Sequence, residues 1–298
     1  MFREIRKDAV SRGSNLPQMS RLFFTDRKYN LYSLYRSAHS IDYSDLRKKR
    51  AKAILFPGCA LGTFHPTLTR ELYKNLAKDE PDLSIFDGCC YKPLEDLGLE
   101  DRFDKAIQGL NDSLDDMGVE RVITACPTCL RNLQRDLKGR NVVSCYDLVK
   151  PVEPVRNGVK LVTVHDSCSD RETGTIGSAV RGVLSRYYSL VEMEHNRSNA
   201  LCCGSGGLVS AYDPELAVEA SRRRMDEAAS TKADVVVTYC ANCSNALSSQ
   251  NRKNVEVRHS LELLLNVRED YNQVQDNIRN LLNGPKKELI GKLLESSA

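Results

Sequence analysis

The chain has 298 residues, of which 41% are hydrophobic and 28% charged, and its 43 basic and 40 acidic residues leave a net charge of +3. This composition is that of a globular protein and excludes a disordered or fibrous chain, while so balanced a charge argues against a nucleic-acid surface. No apolar stretch reaches the roughly 18 residues of a membrane span, and the first residues lack the apolar core of a secretory signal. We therefore expect a cytoplasmic protein of about two domains, whose membrane contacts would come only through a partner.

The N-terminal segment, residues 1–51, is polar and basic, with apolar positions spaced by three and four residues. This spacing predicts short amphipathic helices. The basic runs at 47–50 and 222–224 are interpreted as solvated helix faces, because runs of like charge usually face water, with a docking patch as the alternative.

Four short aliphatic runs in the middle of the chain, 53–56, 122–124, 161–164 and 235–238, each end just before a cysteine. Runs this short and apolar are typical of buried parallel strands. Helical stretches separate them, for example 101–117 and one that begins with Asp213 as N-cap and Pro214 at its first position. We expect an α/β fold with two cysteine-rich domains, 52–155 and 156–264, that are related by a pseudo-twofold axis. Each domain should contain a small parallel sheet flanked by helices. A helical tail, 265–298, follows, with its last helix starting at Pro285.

Ten of the eleven cysteines form an internal repeat of one five-cysteine pattern, a single cysteine, an adjacent pair and a C-x-x-C. Gaps between the three groups are 29 and 35 residues in the first copy, and 33 and 36 in the second. The two copies are Cys59, Cys89, Cys90, Cys126 and Cys129, and then Cys168, Cys202, Cys203, Cys240 and Cys243.

Thiolates select zinc, copper(I) or iron–sulfur groups. A zinc ion takes four ligands, and an ordinary iron–sulfur cluster also takes four cysteines, whereas each copy offers five. Adjacent cysteines diverge in an extended segment, so they suit a larger inorganic body better than one small ion. The pattern therefore favours iron–sulfur binding, and zinc in at least one copy or bare redox thiols remain the alternatives.

The stretches 56–59, 201–207 and 239–243 closely resemble the cysteine-rich "CCG" domain, which occurs twice in one of the subunits of heterodisulfide reductase. Related copies occur in iron–sulfur subunits of glycolate, lactate and glycerol-3-phosphate dehydrogenases. The resemblance covers about 52–264 and includes all ten cysteines. It implies that each five-cysteine set binds a noncubane [4Fe–4S] cluster and that the two clusters together split a substrate disulfide.

Two features depart from that family pattern. Tyr91 follows the first cysteine pair where the family has glycine, and glycine there would permit a positive φ or a close backbone approach. Residues 11–36 faintly resemble the helical segment that follows ferredoxin-type motifs in this family, but without the ferredoxin cysteines. The resemblance therefore implies that electrons arrive from another chain, a ferredoxin-type iron–sulfur subunit together with a flavoprotein subunit.

Four smaller features have mostly structural interpretations. Cys145 lies outside both patterns and is expected to be a buried small hydrophobe. His165, three residues before Cys168, is a candidate proton donor, with strand-end packing as the equal alternative, while His259 is expected to cap a helix. The glycines of 204–207 lack the spacing of a dinucleotide-binding loop, so we interpret them as giving access to a cluster.

The leading expectation for function is an iron–sulfur oxidoreductase subunit that passes electrons through two clusters to reduce a small disulfide. The first alternative is an electron-relay subunit between a flavin hydroxy-acid dehydrogenase and quinone. The second is a zinc-stabilised scaffold protein.

Overall fold

The computed structural model describes residues 2–153, 158–250, 255–284 and 287–295. The N-terminal segment contains helices α1 (Phe2–Ser11) and α2 (Leu31–Ala38). Asn30 caps α2, since its side chain accepts hydrogen bonds from the backbone of Tyr32 and Ser33. Helix α2 packs on the first cysteine-rich copy and buries Tyr32, Leu34 and Tyr35 there. The short amphipathic helices predicted in this segment are therefore present.

The first copy alternates strands and helices along the chain. Its elements are β1 (Ala53–Phe56), α3 (Cys59–Phe64), α4 (Pro66–Leu76), β2 (Leu83–Ile85), α5 (Lys92–Asp96), α6 (Glu100–Met117), β3 (Arg121–Thr124), α7 (Pro127–Asp136) and β4 (Asn141–Ser144). The four strands form one parallel sheet in the order β2-β1-β3-β4. Strand β1 is fully buried and consists only of apolar residues, as is typical of a central strand in a parallel sheet.

The second copy repeats this plan. Its elements are β5 (Leu161–His165), α8 (Thr175–Leu184), β6 (Ser189–Leu190), α9 (Val209–Tyr212), α10 (Pro214–Ser230), β7 (Val235–Thr238), α11 (Ala241–Ser248), β8 (Glu256–His259) and α12 (Ser260–Leu265). The sheet order β6-β5-β7-β8 is that of the first sheet, and all its pairs are parallel. The expected α/β fold with two related parallel sheets is confirmed.

Two helices close the described part of the chain, α13 (Tyr271–Asn283) and α14 (Lys287–Glu295). Pro285, predicted to start the last helix, lies outside the described residues. Asp213 caps α10 as predicted, because its carboxylate accepts a hydrogen bond from the Leu216 amide at 2.9 Å. Among the described residues, no helix combines the length and the apolar character that crossing a membrane requires.

The interpretation of the two basic runs as solvated helix faces was wrong in part. Residues 47–50 are exposed but lie in a loop, where Arg47 pairs with Asp87 at 2.7 Å. Arg224 in the second run is 0% exposed, whereas its neighbours Arg222 and Arg223 face solvent. A helix turns by about 100° per residue, so three consecutive arginines cannot share one face.

Candidate metal centre

The cysteines of each copy lie where the order of the strands reverses, at the carboxyl ends of the two central strands. Open parallel sheets bind ligands at this switch point. Cys59 follows β1 and opens α3, while Cys126 follows β3 and is the N-cap of α7. In the second copy Cys168 follows β5 and Cys240 is the N-cap of α11, so the prediction that strands lead into these cysteines is confirmed.

The five cysteines of each copy converge, and we call the two groups the first site and the second site. Cys59 and Cys89 place their Sγ atoms 3.1 Å apart. Each thiol influences the pKa of the next, and the order of these couplings is the same in both copies. The couplings run Cys59–Cys89–Cys90–Cys129–Cys126 in the first site and Cys168–Cys202–Cys203–Cys243–Cys240 in the second.

The loop after each cysteine pair turns its backbone toward a sulfur. The Tyr91 amide donates to Cys89 Sγ at 3.2 Å, and the Gly204 amide donates to Cys202 Sγ at 3.4 Å. Both residues have a positive φ, +53° at Tyr91 and +82° at Gly204. Tyr91 therefore keeps the backbone geometry for which the family uses glycine, at the modest strain that a non-glycine residue has in this region.

Two glycines are required by close contacts. Gly58 has φ +83°, and a Cβ there would lie 2.8 Å from the Cβ of Cys126 and 3.3 Å from Cys129 Sγ. A Cβ at Gly204 would lie 2.1 Å from the Ala217 carbonyl oxygen, so this glycine allows α10 to approach the loop. Gly204 is thus required by helix packing as well as by the contact of its amide with Cys202 Sγ. Gly206 also lies at the second site, because a Cβ there would be 3.4 Å from Cys168 Sγ.

In each site the pKa of one thiol is lowered by hydrogen bonds from its neighbours. Hydrogen bonds from Cys168 and Cys203 lower the pKa of Cys202 to about 2, and a hydrogen bond from Cys129 lowers the pKa of Cys126. Burial raises the pKa of Cys89. Five converging, mostly buried soft donors, with backbone amides directed at their sulfurs, fit a thiophilic metal group larger than one ion.

The two sites face each other through reciprocal contacts between the copies. Helix α7, which carries the first C-x-x-C, contacts the turn at Cys168, and α11, which carries the second, contacts α3. On one side of this interface the Thr128 and Ser169 hydroxyls are 2.7 Å apart. On the other, His65 Nε2 is 3.1 Å from the Asn245 side-chain oxygen. The segments that hold the cysteines are thus also the segments that join the two copies.

A cavity of about 160 Å³ lies between the copies at this interface. Cysteines of both sites contribute to its wall, namely Cys59, Cys90, Cys126, Cys129 and Cys240. The N-terminal segment supplies the aromatic side chains of Phe23 and Tyr32. Lys92 and Asp96, an ion pair on α5, supply charge. Sequence reasoning missed these four residues, although the pair of tyrosines at 32 and 35 marks the buried face of α2.

The remaining candidates have structural positions. Cys145 is 0% exposed, as predicted for a buried small hydrophobe, and burial raises the pKa of its thiol. His259 caps α12 as predicted, and its Nδ1 accepts from the Leu261 amide at 3.3 Å. His165 is 1% exposed at the end of β5, where its Nδ1 accepts a hydrogen bond from Arg224 Nε at 3.0 Å. His165 does not belong to the cavity wall.

The fold and the sites together define a class: α/β proteins with two related thiol-rich domains built around facing five-cysteine sites. Residues 53–134 and 162–248 both match the cysteine-rich domain family, CCG. The chain therefore belongs to this family, and each match contains all five cysteines of its copy. The resemblance noted in the sequence is confirmed.

Curated relatives are redox subunits from archaea and bacteria. A subunit of the CoM/CoB fumarate reductase of Methanothermobacter marburgensis is 26% identical, over 70% of this chain and 45% of the relative. A subunit of the dihydromethanophenazine:CoB–CoM heterodisulfide reductase of Methanosarcina barkeri is 27% identical, over 67% and 54%. The glycolate oxidase iron-sulfur subunit of Escherichia coli is 26% identical, over 74% and 58%. The chain spans about half the length of these relatives.

Proposed function

We propose that the chain is an iron–sulfur oxidoreductase subunit that uses two clusters, one on each five-cysteine site, to reduce a small disulfide in the cavity between them. The observation that carries this proposal is the pair of identically ordered thiol sites facing each other across one cavity. The ligands would be Cys59, Cys89, Cys90, Cys126 and Cys129 for the first cluster, and Cys168, Cys202, Cys203, Cys240 and Cys243 for the second. Noncubane [4Fe–4S] clusters are the form we propose, because five thiolates exceed the four of an ordinary cluster.

The clusters would supply single electrons and thiophilic iron, and the protein positions the substrate. Reduction of a disulfide takes two electrons and two protons and yields two thiols. A cavity bounded by sulfurs of both sites places a disulfide near two electron sources at once. Phe23 and Tyr32 cover one side of this cavity, so the bound substrate is shielded from water there.

One group in the wall, the ammonium of Lys92, can supply protons. Lys92 is held by Asp96 and Glu95, and the Lys92–Glu95 distance is 3.5 Å. Burial and the neighbouring cysteines raise the pKa of Tyr32 well above its ordinary value, so its hydroxyl is a poor acid and serves as a hydrogen-bond donor to the substrate. We assign proton delivery to Lys92 in preference to His165, which is buried outside the cavity wall.

The electrons would come from partner subunits, a ferredoxin-type iron–sulfur protein and a flavoprotein. This part of the proposal is supported by the relatives, whose names describe them as subunits of larger redox enzymes. A relay between a flavin dehydrogenase and quinone is the second candidate, and the similarity to the glycolate oxidase protein favours it. The cavity supports the first candidate, since a relay needs no substrate pocket.

The test begins with the chain purified without oxygen. We expect about eight irons and about eight acid-labile sulfides per chain, from two four-iron clusters. Stoichiometric zinc with little iron would contradict the proposal and support the scaffold alternative. The reduced protein should then release thiols from a small disulfide.

A cavity variant separates disulfide reduction from electron relay. Asn242 is exposed and belongs to the cavity wall, so Asn242→Trp should obstruct the cavity without disturbing the core. We expect full iron content and at least tenfold slower thiol release. Asn272→Trp, at an exposed position on α13 outside the cavity wall, is the matched control. Equal thiol release by both variants would contradict a substrate site in this cavity.

A further inference from the structure

The two five-cysteine sites differ in the residue that ends the strand before the single cysteine, a buried position in both copies. His165 ends β5 and pairs in register with Thr238 of β7, as Phe56 ends β1 and pairs with Thr124 of β3. Each of these residues precedes the single cysteine of its site by three positions. Phe56 stacks on Phe86 with ring centroids 5.9 Å apart, so this position of the first copy is apolar.

His165 lies against the sulfurs of the second site. One of its ring nitrogens lies within 4.8 Å of the Sγ atoms of both Cys203 and Cys243. Among the described residues, Nε2 of His165 has no hydrogen-bond partner, although the side chain is almost wholly buried. An unpaired buried polar atom is costly, so its placement beside two proposed cluster ligands needs an explanation.

Arg224 decides which nitrogen of His165 carries the proton. Arg224 is fully buried, and its Nε–H donates to His165 Nδ1 at 3.0 Å. Its Nη1 donates to Glu227 and to the His195 carbonyl, both at 2.7 Å, so the guanidinium is fixed on its far side. A guanidinium has no acceptor, therefore Nδ1 must present its lone pair and the proton of the neutral ring must lie on Nε2.

This tautomer excludes metal ligation through Nε2, because a ligand nitrogen needs a free lone pair. It makes Nε2–H a hydrogen-bond donor instead. We infer that His165 donates a hydrogen bond from Nε2 to a sulfur of a cluster held at the second site, that Arg224 is the positioning residue for this donor, and that the second cluster is consequently easier to reduce than the first. This inference rests on the proposed function, since it requires that both sites hold clusters.

The physical reason for the difference is the charge that reduction adds. A reduced cluster carries more negative charge on its sulfurs, and a hydrogen-bond donor stabilises that charge more than it stabilises the oxidised state. The first site has the apolar Phe56 at the equivalent position, so this particular stabilisation occurs only at the second. The two sites would thus have different potentials in spite of equivalent ligand sets.

The test compares variants by iron content and by EPR-monitored redox titration of the intact chain. The signal that Cys203→Ser removes and Cys90→Ser spares identifies the second cluster. His165→Phe copies the first site, and His165→Gln keeps a donor near the position of Nε2. Because His165→Phe alone leaves Arg224 buried without its partner, the double variant His165→Phe/Arg224→Met is made as well.

We expect wild-type iron content in all three variants. The reduction potential of the second cluster should fall in His165→Phe and in the double variant, and it should stay near the wild-type value in His165→Gln. The reduction potential of the first cluster should not change in any of the three variants. Loss of about half the iron in both His165→Phe and the double variant would show that His165 is a ligand and would overturn the inference. Unchanged potentials, or equal shifts of both clusters, would overturn it too. Wild-type protein without iron would instead refute the proposed function.

Discussion

The contact between Gly58 and the first C-x-x-C gives the sharpest test of how the first site is built. Gly58 has φ +83° and ψ 159°, a region that is nearly restricted to glycine and costs other residues about 1–3 kcal/mol. A Cβ there would lie 2.8 Å from the Cβ of Cys126, and relieving that overlap costs about another 1–3 kcal/mol. We therefore expect Gly58→Ala to lower the free energy of unfolding by about 2–6 kcal/mol and to displace Cys126 from the first site.

The matched control is Gly139→Ala. Gly139 has the same φ of +83°, but no atom lies within 4 Å of the position that its Cβ would take. This variant should therefore lose only about 1–2 kcal/mol, the cost of the left-handed backbone, and should keep its iron. The assay is urea unfolding without oxygen, together with iron analysis of the folded protein. If both variants lost equal stability and kept full iron, the argument from the Gly58 contact would be wrong.

Three further predictions concern single positions. Cys90→Ser should lose or convert the first cluster, because serine is a poor substitute for a soft thiolate. Cys145→Ser should keep full iron, and its free energy of unfolding should fall by only about 1–3 kcal/mol because a hydroxyl becomes buried. Equal iron loss in both variants would contradict the five-plus-five assignment. Tyr91→Gly should keep the iron of the first site, whereas Tyr91→Val should lose it, because a β-branched residue does not adopt φ +53° readily. Equal iron content in the two variants would refute this reasoning. Asp213→Ala should lower the free energy of unfolding by about 1 kcal/mol in urea titrations, through loss of the α10 cap, and a change in iron content would show that the effect is not confined to the helix end.

Much of the architecture could be predicted from the sequence because it depends on residues that are close to one another along the chain. The strand that precedes each single cysteine and each C-x-x-C is a short aliphatic run, and Asp213 with Pro214 marks the start of α10. The gaps of the cysteine pattern indicated two equivalent units. Parallel pairing then places the carboxyl ends of neighbouring strands together, so each set of cysteines converges.

The sequence could not predict features in which the identity of a residue does not reveal its contacts. Arg224 belongs to a basic run interpreted as solvated, yet it is buried and bonded to a histidine 59 residues earlier. Gly204 contacts Cys202 Sγ through its amide, and it also accommodates the Ala217 carbonyl of a neighbouring helix, which no local pattern indicates. Tyr91 departs from the family pattern in residue type and still adopts the positive φ of the glycine it replaces.

The sequence by itself determined the fold class, the twofold repeat and which ten thiols belong together, because hydrophobic runs, caps and cysteine spacing act over short distances. Only the tertiary structure decided how the two sites face each other, that Phe23 and Tyr32 of the N-terminal segment form part of the cavity wall, and that His165 rests on Arg224. These features depend on packing between residues that are dozens to hundreds of positions apart. No local pattern encodes such contacts, since they form only when whole helices and sheets pack against one another.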